Sequence, residues 1–225
     1  MPRKSTPRIA LFRRLLLRWY RRHGRDLPWR RTRDPYRVLV SEFMLQQTQV
    51  SRVEAYYDRF VERWPTVESL ARATPKAVRE SWEGLGYYRR AAHLHRLART
   101  VVRDGGVIPS DPAELRRLPG VGRYTAGAVA CFAFERPTPA VDTNVARVIR
   151  RAFHRRATSE SRVWATAAAL TPRRGATAWT FNQAIMELGA VVCTARVARC
   201  GECPVATACA TGGQAVGRSG GRPLR

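Results

Sequence analysis

The sequence predicts an all-α fold. Three observations carry that expectation. Apolar residues recur at three- and four-residue spacing, prolines and glycine pairs punctuate the chain at helix-length intervals, and no segment alternates apolar and polar residues as a strand does. Residues 7–22 set Ile9, Phe12, Leu15, Leu16 and Trp19 on one stripe with arginines between them, an amphipathic helix. Arg13 and Arg14 cut its apolar stretch, so it does not read as a signal segment. Leu27-Pro28-Trp29 ends it. Tyr36 to Trp64 is too long for one helix and is expected to break near Thr48. Further helices are expected at 67–73, 75–83, 87–104, 111–117, 122–134, 142–153, 160–170 and 178–189. Pro65, Pro75, Gly84-Leu85-Gly86, Gly105-Gly106, Pro109 and Pro119-Gly120 separate them. Thr66, Thr74, Ser110 and Asp142 stand where caps belong. The Gly- and Arg-rich stretch 211–225 is expected to be a disordered basic tail.

The chain of 225 residues carries 41 Lys and Arg against 17 Asp and Glu, a formal charge of +24. A surplus this large repels itself, and a polyanion relieves it. Nearly every base is arginine; only Lys4 and Lys76 are lysine. GC-rich coding explains that preference but not the excess over acids, so nucleic acid is the expected partner. With 44% hydrophobic residues and six Trp, the chain can bury a real core as one large or two small domains. The longest apolar run, Ala128 to Phe134, falls far short of the roughly 20 residues a spanning helix needs, and no membrane partner is expected. A monomer in the reducing cytoplasm, associated with the nucleoid, is the expected setting.

Four cysteines, Cys193, Cys200, Cys203 and Cys209, follow a C-x6-C-x2-C-x5-C spacing. Such clustering suits an iron–sulfur cluster or structural zinc, and in a small secreted protein it would suit two disulfides. In a reducing compartment the metal reading is favoured. Cys131, inside an apolar helix, reads as an inert core thiol. His23, His93, His95 and His154 lie among arginines without ligand spacing, and read as solvated or phosphate-facing.

Leu118-Pro119-Gly120-Val121-Gly122-Arg123-Tyr124-Thr125 reads as a helix end, a tight turn and a new helix start. Glycines there let the backbone approach another group, and the next helix aims its unpaired N–H groups and positive dipole end at it. A DNA phosphate fits, and the pattern is that of a helix–hairpin–helix, which grips a backbone without reading sequence. Beyond Pro137 and Pro139 comes Val141-Asp142-Thr143-Asn144, a carboxylate at a helix start.

Hairpin, proline-rich link and Asp together resemble the helix–hairpin–helix glycosylase superfamily. Leu27-Pro28-Trp29-Arg30, Ser41-Glu42-Phe43-Met44-Leu45-Gln46-Gln47-Thr48, Gly84-Leu85-Gly86-Tyr87-Tyr88, Phe181-Asn182-Gln183-Ala184 and Met186-Glu187-Leu188-Gly189-Ala190 are similar to the MutY adenine DNA glycosylases, across residues 8–210. The cysteine spacing resembles the [4Fe-4S] loop of endonuclease III and MutY enzymes. The resemblance implies a six-helix barrel lobe at 28–138 and a cluster lobe made of 1–27 and 139–210, with double-stranded DNA and an extruded base between them. It implies excision of adenine mispaired with guanine or 8-oxoguanine. Thymine or uracil opposite guanine is the alternative on the same scaffold, and a non-catalytic iron–sulfur DNA-binding protein is a third.

Breaking an N-glycosidic bond requires a proton for the departing base and stabilisation of an oxocarbenium-like sugar. Two carboxyls in different environments can divide that labour. The resemblance assigns the acid to Glu42, which lies in an apolar stretch where desolvation favours the protonated form. It assigns the ionised partner to Asp142, with Asn144 positioning Asp142 or a water. Tyr124 stands where endonuclease III-like members carry a lysine that forms a Schiff base, so strand cleavage is not expected. Gln47 and Tyr87 are implied to fill the gap left by the extruded base, although the residues alone do not choose Tyr87 over Tyr88. Gly120, Gly122, Arg123 and Thr125 of the hairpin, with Arg30, are the other candidate DNA contacts. Full-length MutY proteins add a C-terminal domain that reads 8-oxoguanine. The chain continues only about fifteen residues past Cys209, too few for a domain, and weak discrimination of that lesion is expected.

Overall fold

The structure, a computed structural model, describes residues 6–154 and 157–212. Among them every regular element is helical, apart from one isolated bridge between Cys193 and Ala198. The chain divides into two compact units, residues 26–136 and residues 1–25 with 137–225.

The first unit is organised by helix α2, Pro35–Leu45. Asp34 caps it by accepting the Arg37 N–H at 2.8 Å, and Pro35 occupies the first turn, where no backbone donor is needed. The helix buries Tyr36 and every residue from Val38 to Met44, as a helix wrapped on all sides must. It ends at Leu45, and residues 46–49 lead into α3, Val50–Arg63, so the expected break near Thr48 is present. Thr66 and Ser69 form a reciprocal capping box for α4, Val67–Arg72. Thr74 caps α5, Pro75–Ser81. Next comes α6, Arg89–Arg103, which packs on α4 and α5 and buries Leu94, Leu97 and Val101.

A single turn, α7 (Pro112–Leu115), precedes α8, Arg123–Phe132, which packs against α2. The cap of α7 is Asp111, not Ser110. Asp111 immediately precedes Pro112 and accepts from the N–H groups of Ala113 and Glu114, while Ser110 accepts from Arg136. The core centres on Phe43, Leu39, Leu97 and an edge-on pair, Phe60 and Trp82, with centroids 5.7 Å apart. Truncating Trp82 to alanine there would cost about 3–5 kcal/mol. His95 is 5% exposed inside this unit, which corrects its reading as a solvated residue: it lies on the same inward stripe of α6 as Leu94 and Ala98.

The second unit brings α1, Pro7–His23, onto the C-terminal part of the chain. There it joins α9 (Thr143–Phe153), α10 (Glu160–Leu170) and α11 (Gly175–Val191), followed by short 3₁₀ turns at Cys200–Glu202 and Ala206–Ala208. Phe12 and Leu16 of α1 enter a core with Val148, Ile149, Trp164, Phe181, Ile185 and Leu188. Arginines tie the segments together. Arg13 donates to Ala169 O and Leu170 O at 2.5 and 2.6 Å, satisfying the carbonyls at the end of α10. Arg8 reaches Ala208 O at 2.9 Å and Ala152 O. Arg25 grips the fully buried Glu187 carboxylate with two N–H groups, at 2.5 and 3.2 Å. Part of the basic excess therefore serves carbonyls and a carboxylate inside this unit. Thr211 and Gly212, expected in a tail, are held: Thr211 donates to Arg151 O at 3.1 Å, and Gly212 packs against Ala206 and Cys209. Residues 213–225 lie outside the described ones.

Candidate functional site

In the unit of residues 26–136, Glu42 sits midway along α2 and is 4% exposed. The hairpin closes where Gly120 adopts φ +78°, a left-handed conformation that side chains resist. A Cβ there would also lie 2.7 Å from His93 Cβ and 2.9 Å from Phe43, so the turn packs directly on α6 and α2. Gly122 precedes α8 without any side-chain cap, and Gly120, Gly122 and Arg123 are exposed. The first-turn N–H groups of α8 thus open beside two exposed glycines. Thr125 corrects the sequence reading: its side chain is 3% exposed, because it falls on the face that α8 buries. Only its backbone belongs to the hairpin surface. Tyr124 is half-buried, and Arg30 closes the short 3₁₀ turn after the buried Trp29.

Two loops of the same unit present the gap-filling candidates. Gln47 is exposed with φ +56°, and Tyr87 is 61% exposed with φ +48°. Left-handed backbone at a non-glycine residue is uncommon and persists only when its surroundings enforce it. Tyr88, in contrast, is 37% exposed and lies under the Arg79 guanidinium, 4.6 Å from its ring centroid. Of the two tyrosines, Tyr87 is the more exposed and the one with left-handed backbone.

In the other unit, Asp142 caps α9. One carboxylate oxygen accepts the Val145 N–H at 2.7 Å, and the other accepts the Asn144 amide at 3.0 Å. Asn144 is therefore an Asp142-orienting group. Burial pushes the Asp142 carboxyl above its ordinary value, opposed by those two hydrogen bonds and by the Arg147 charge. Arg147 was not singled out from sequence except as one base among many. Its guanidinium donates to Asn144 Oδ1 at 2.7 Å, Gly189 O at 2.7 Å and Cys193 O at 2.9 Å. One side chain thus links the carboxylate's partner, helix α11 and the first cysteine. Asn182 steadies the approach to Asp142 by accepting from Ala140 N–H at 3.1 Å and donating to Thr138 O at 3.0 Å.

Cys193, Cys200, Cys203 and Cys209 are free, half-buried thiols in this unit. Arg151 wraps the loop between them, donating to Thr194 O at 2.7 Å and to Cys193 Sγ at 3.4 Å. Burial pushes the Cys203 thiol up to about 11, with a further upward push from Cys209, Cys193 and Cys200. Burial and two of the same neighbours raise Cys200. Cys200 and Cys203 thus each feel the charges of neighbouring cysteines, and the Arg151 charge opposes the rise at Cys200. Among the described residues no set of three or more His, Cys, Asp and Glu forms a site for a single metal ion.

An all-helical scaffold, a glycine hairpin feeding a helix start and a capped aspartate before α9 define a helix–hairpin–helix protein. Residues 40–173 match the family model of the HhH-GPD superfamily base excision DNA repair proteins, and the chain belongs to that superfamily. It is 52% identical over 196 residues to an adenine DNA glycosylase of Mycobacterium tuberculosis, covering 84% of this chain and 64% of that protein. It is 38% identical over 210 residues to a thymine-DNA glycosylase of Aeropyrum pernix, covering 90% of this chain and 94% of that one. A solved thermostable thymine-DNA glycosylase superposes with a TM-score of 0.85 at 31% identity, covering 92% of this chain and 97% of that one. The chain thus spans somewhat less than two thirds of the mycobacterial relative's length.

Proposed function

We propose that the protein is a monofunctional DNA glycosylase that releases adenine mispaired with guanine or 8-oxoguanine. The observation that carries this reading is the Asp142 carboxylate, held by Val145 N–H and the Asn144 amide with no positive charge bonded to it directly. A carboxylate fixed in that way is pre-organised to stabilise positive charge that develops only as the glycosidic bond breaks. Glu42 supplies the proton. Adenine leaves poorly as an anion, so the base takes the Glu42 proton as the C1′–N9 bond breaks and its electron pair goes to the base. Asp142 stabilises the oxocarbenium-like sugar. Water then adds at C1′ and gives up a proton to a carboxylate, leaving free adenine and an abasic deoxyribose. Tyr124 offers no amine, so no imine forms and the strand stays intact.

The identity to adenine glycosylases supports adenine as the base. The 38% identity to a thymine-DNA glycosylase supports the second reading, removal of thymine or uracil opposite guanine. Retention of both Glu42 and Asp142 speaks against a purely DNA-binding role. We infer that the four cysteines hold a [4Fe-4S] cluster, whose irons their four thiolates would ligate. The protein is read as a monomer acting on double-stranded DNA in the cytoplasm. The test is base release from A:8-oxoG, A:G, A:C, T:G and U:G duplexes, with alkali to reveal abasic sites and borohydride to trap imines. Adenine release with no trapping supports the reading. Release of thymine from T:G without adenine from any duplex replaces it with the second.

A further inference from the structure

We infer that Arg90 is the positioning residue that holds Gln47 and Tyr87 as a single wedge. Arg90 lies in the first turn of α6 and is 7% exposed, among the deepest charges in its unit. One terminal nitrogen donates to Phe43 O at 3.0 Å, Met44 O at 2.6 Å and Gln46 O. The other donates to Thr48 Oγ1 at 2.9 Å, Leu85 O at 3.2 Å and Gly86 O at 3.1 Å. These acceptors fall into two sets. Phe43, Met44, Gln46 and Thr48 belong to the end of α2 and the loop that bears Gln47. Leu85 and Gly86 belong to the loop that bears Tyr87. The guanidinium Cζ also stands 5.4 Å from the Tyr87 ring centroid and 5.6 Å from that of Trp82, giving the exposed ring a fixed cationic floor.

The arrangement accounts for the two left-handed residues. Gln47 is bracketed by Gln46 and Thr48, both bound to Arg90, and Tyr87 follows Gly86, also bound to it. Each loop's strained conformation is thereby enforced from the same planar fork. Arginine is suited to this because its N–H groups diverge in a rigid plane, whereas a lysine ammonium offers one compact point. The carbonyls at the end of α2 are among those that a helix leaves unpaired, so the clamp also finishes that helix. Because the two loops share one anchor, neither Gln47 nor Tyr87 can be displaced without disturbing the other's support. That is what a wedge needs if both side chains must enter a base stack together.

This inference rests on the reading of the protein as a base-extruding glycosylase, and its test separates the two. Arg90→Lys and the milder Thr48→Val are compared with the native protein. The substrates are an A:G duplex and a duplex in which the adenine faces an abasic site, which is already unpaired. Single-turnover release from A:G is expected to fall about tenfold or more in Arg90→Lys, as loss of a held geometry does. Release from the unpaired adenine falls much less. Thr48→Val gives a smaller loss of the same pattern, and adds nothing further to Arg90→Lys. A second readout does not depend on base release: 2-aminopurine beside the mismatch should brighten when native protein binds and stay dim with Arg90→Lys at equal occupancy. If native protein releases no adenine but brightens the probe, the adenine reading fails and the wedge stands or falls on the variant's fluorescence. Equal losses on both substrates with unchanged fluorescence, or no loss on either, overturn the role of Arg90.

Discussion

Gly189 lies within α11, where it makes no turn and needs no unusual backbone. Its small size is explained by what faces it. A Cβ added there would lie 2.8 Å from Asn144 Cβ, 3.1 Å from Asn144 O and 3.2 Å from Asn144 C. Ordinary carbon–carbon contact begins near 3.5 Å, so Gly189→Ala must push the start of α9 away by about 0.7 Å. The displaced segment carries Asn144 and the Asp142 cap, and Arg147 loses registry with both Asn144 Oδ1 and Gly189 O. Alanine gains about 1 kcal/mol of helix propensity over glycine, and overpacking costs about 1–3 kcal/mol, so the net loss of stability is at most about 2 kcal/mol. For a chain of this size that lowers Tm by no more than about 8 °C. The rate should suffer far more, because misplacing a reacting group by an ångström can cost about 100-fold. The assay is single-turnover adenine release with enzyme in excess, alongside thermal melting of the same preparation. A folded Gly189→Ala protein whose rate stays within about threefold of native would refute the argument that Gly189 sets the position of Asp142.

Asp142→Asn should lose base release by about 1,000-fold or more in a single-turnover assay, since it removes charge needed only as the sugar cation forms. The same variant should melt no lower than the native protein at neutral pH. Burial raises the native Asp142 value, so its ionised form is a stability cost above that value, and a neutral amide removes the cost. For the same reason the acid limb of the rate profile should lie above the ordinary aspartate range. Activity is lost as pH falls through the raised value, while this residue's contribution to stability rises over the same window. Arg147→Met should slow release at least about tenfold by freeing Asn144, Gly189 and Cys193 together, while affinity for undamaged duplex, measured by anisotropy, changes little. Anaerobically purified protein should hold about four irons per chain by metal analysis, and removing them should lower Tm; stoichiometric zinc without iron would overturn the cluster reading.

The helices, most of their caps, the cysteine group, the hairpin and Asp142 were legible because each leaves a local mark: a period, a spacing, or a polar residue before an apolar run. The arginines were not. Arg13, Arg90 and Arg147 look in sequence like units of positive charge, yet each ends on backbone carbonyls, some of them far away in the chain. A carbonyl has no letter in the sequence, so such contacts leave no trace there. Tyr87 could not be told from Tyr88 for a related reason: what differs between them is a backbone angle and the degree of exposure. Thr125 and His95 were misread because a single position's direction on a helix depends on which faces its neighbours bury. The functional role of Gly189 was hidden because its constraint comes from another helix.

The Arg8 contact with Ala208 joins positions 200 residues apart. At about 5–20 residues per second, the carbonyl that Arg8 needs is synthesised roughly 10–40 s after Arg8 itself. Residues 26–136 can condense on their own contacts meanwhile, but α1 must wait with Phe12 and Leu16 uncovered until α9, α10 and α11 have emerged. Until then α1 is an uncovered amphipathic segment rich in arginine.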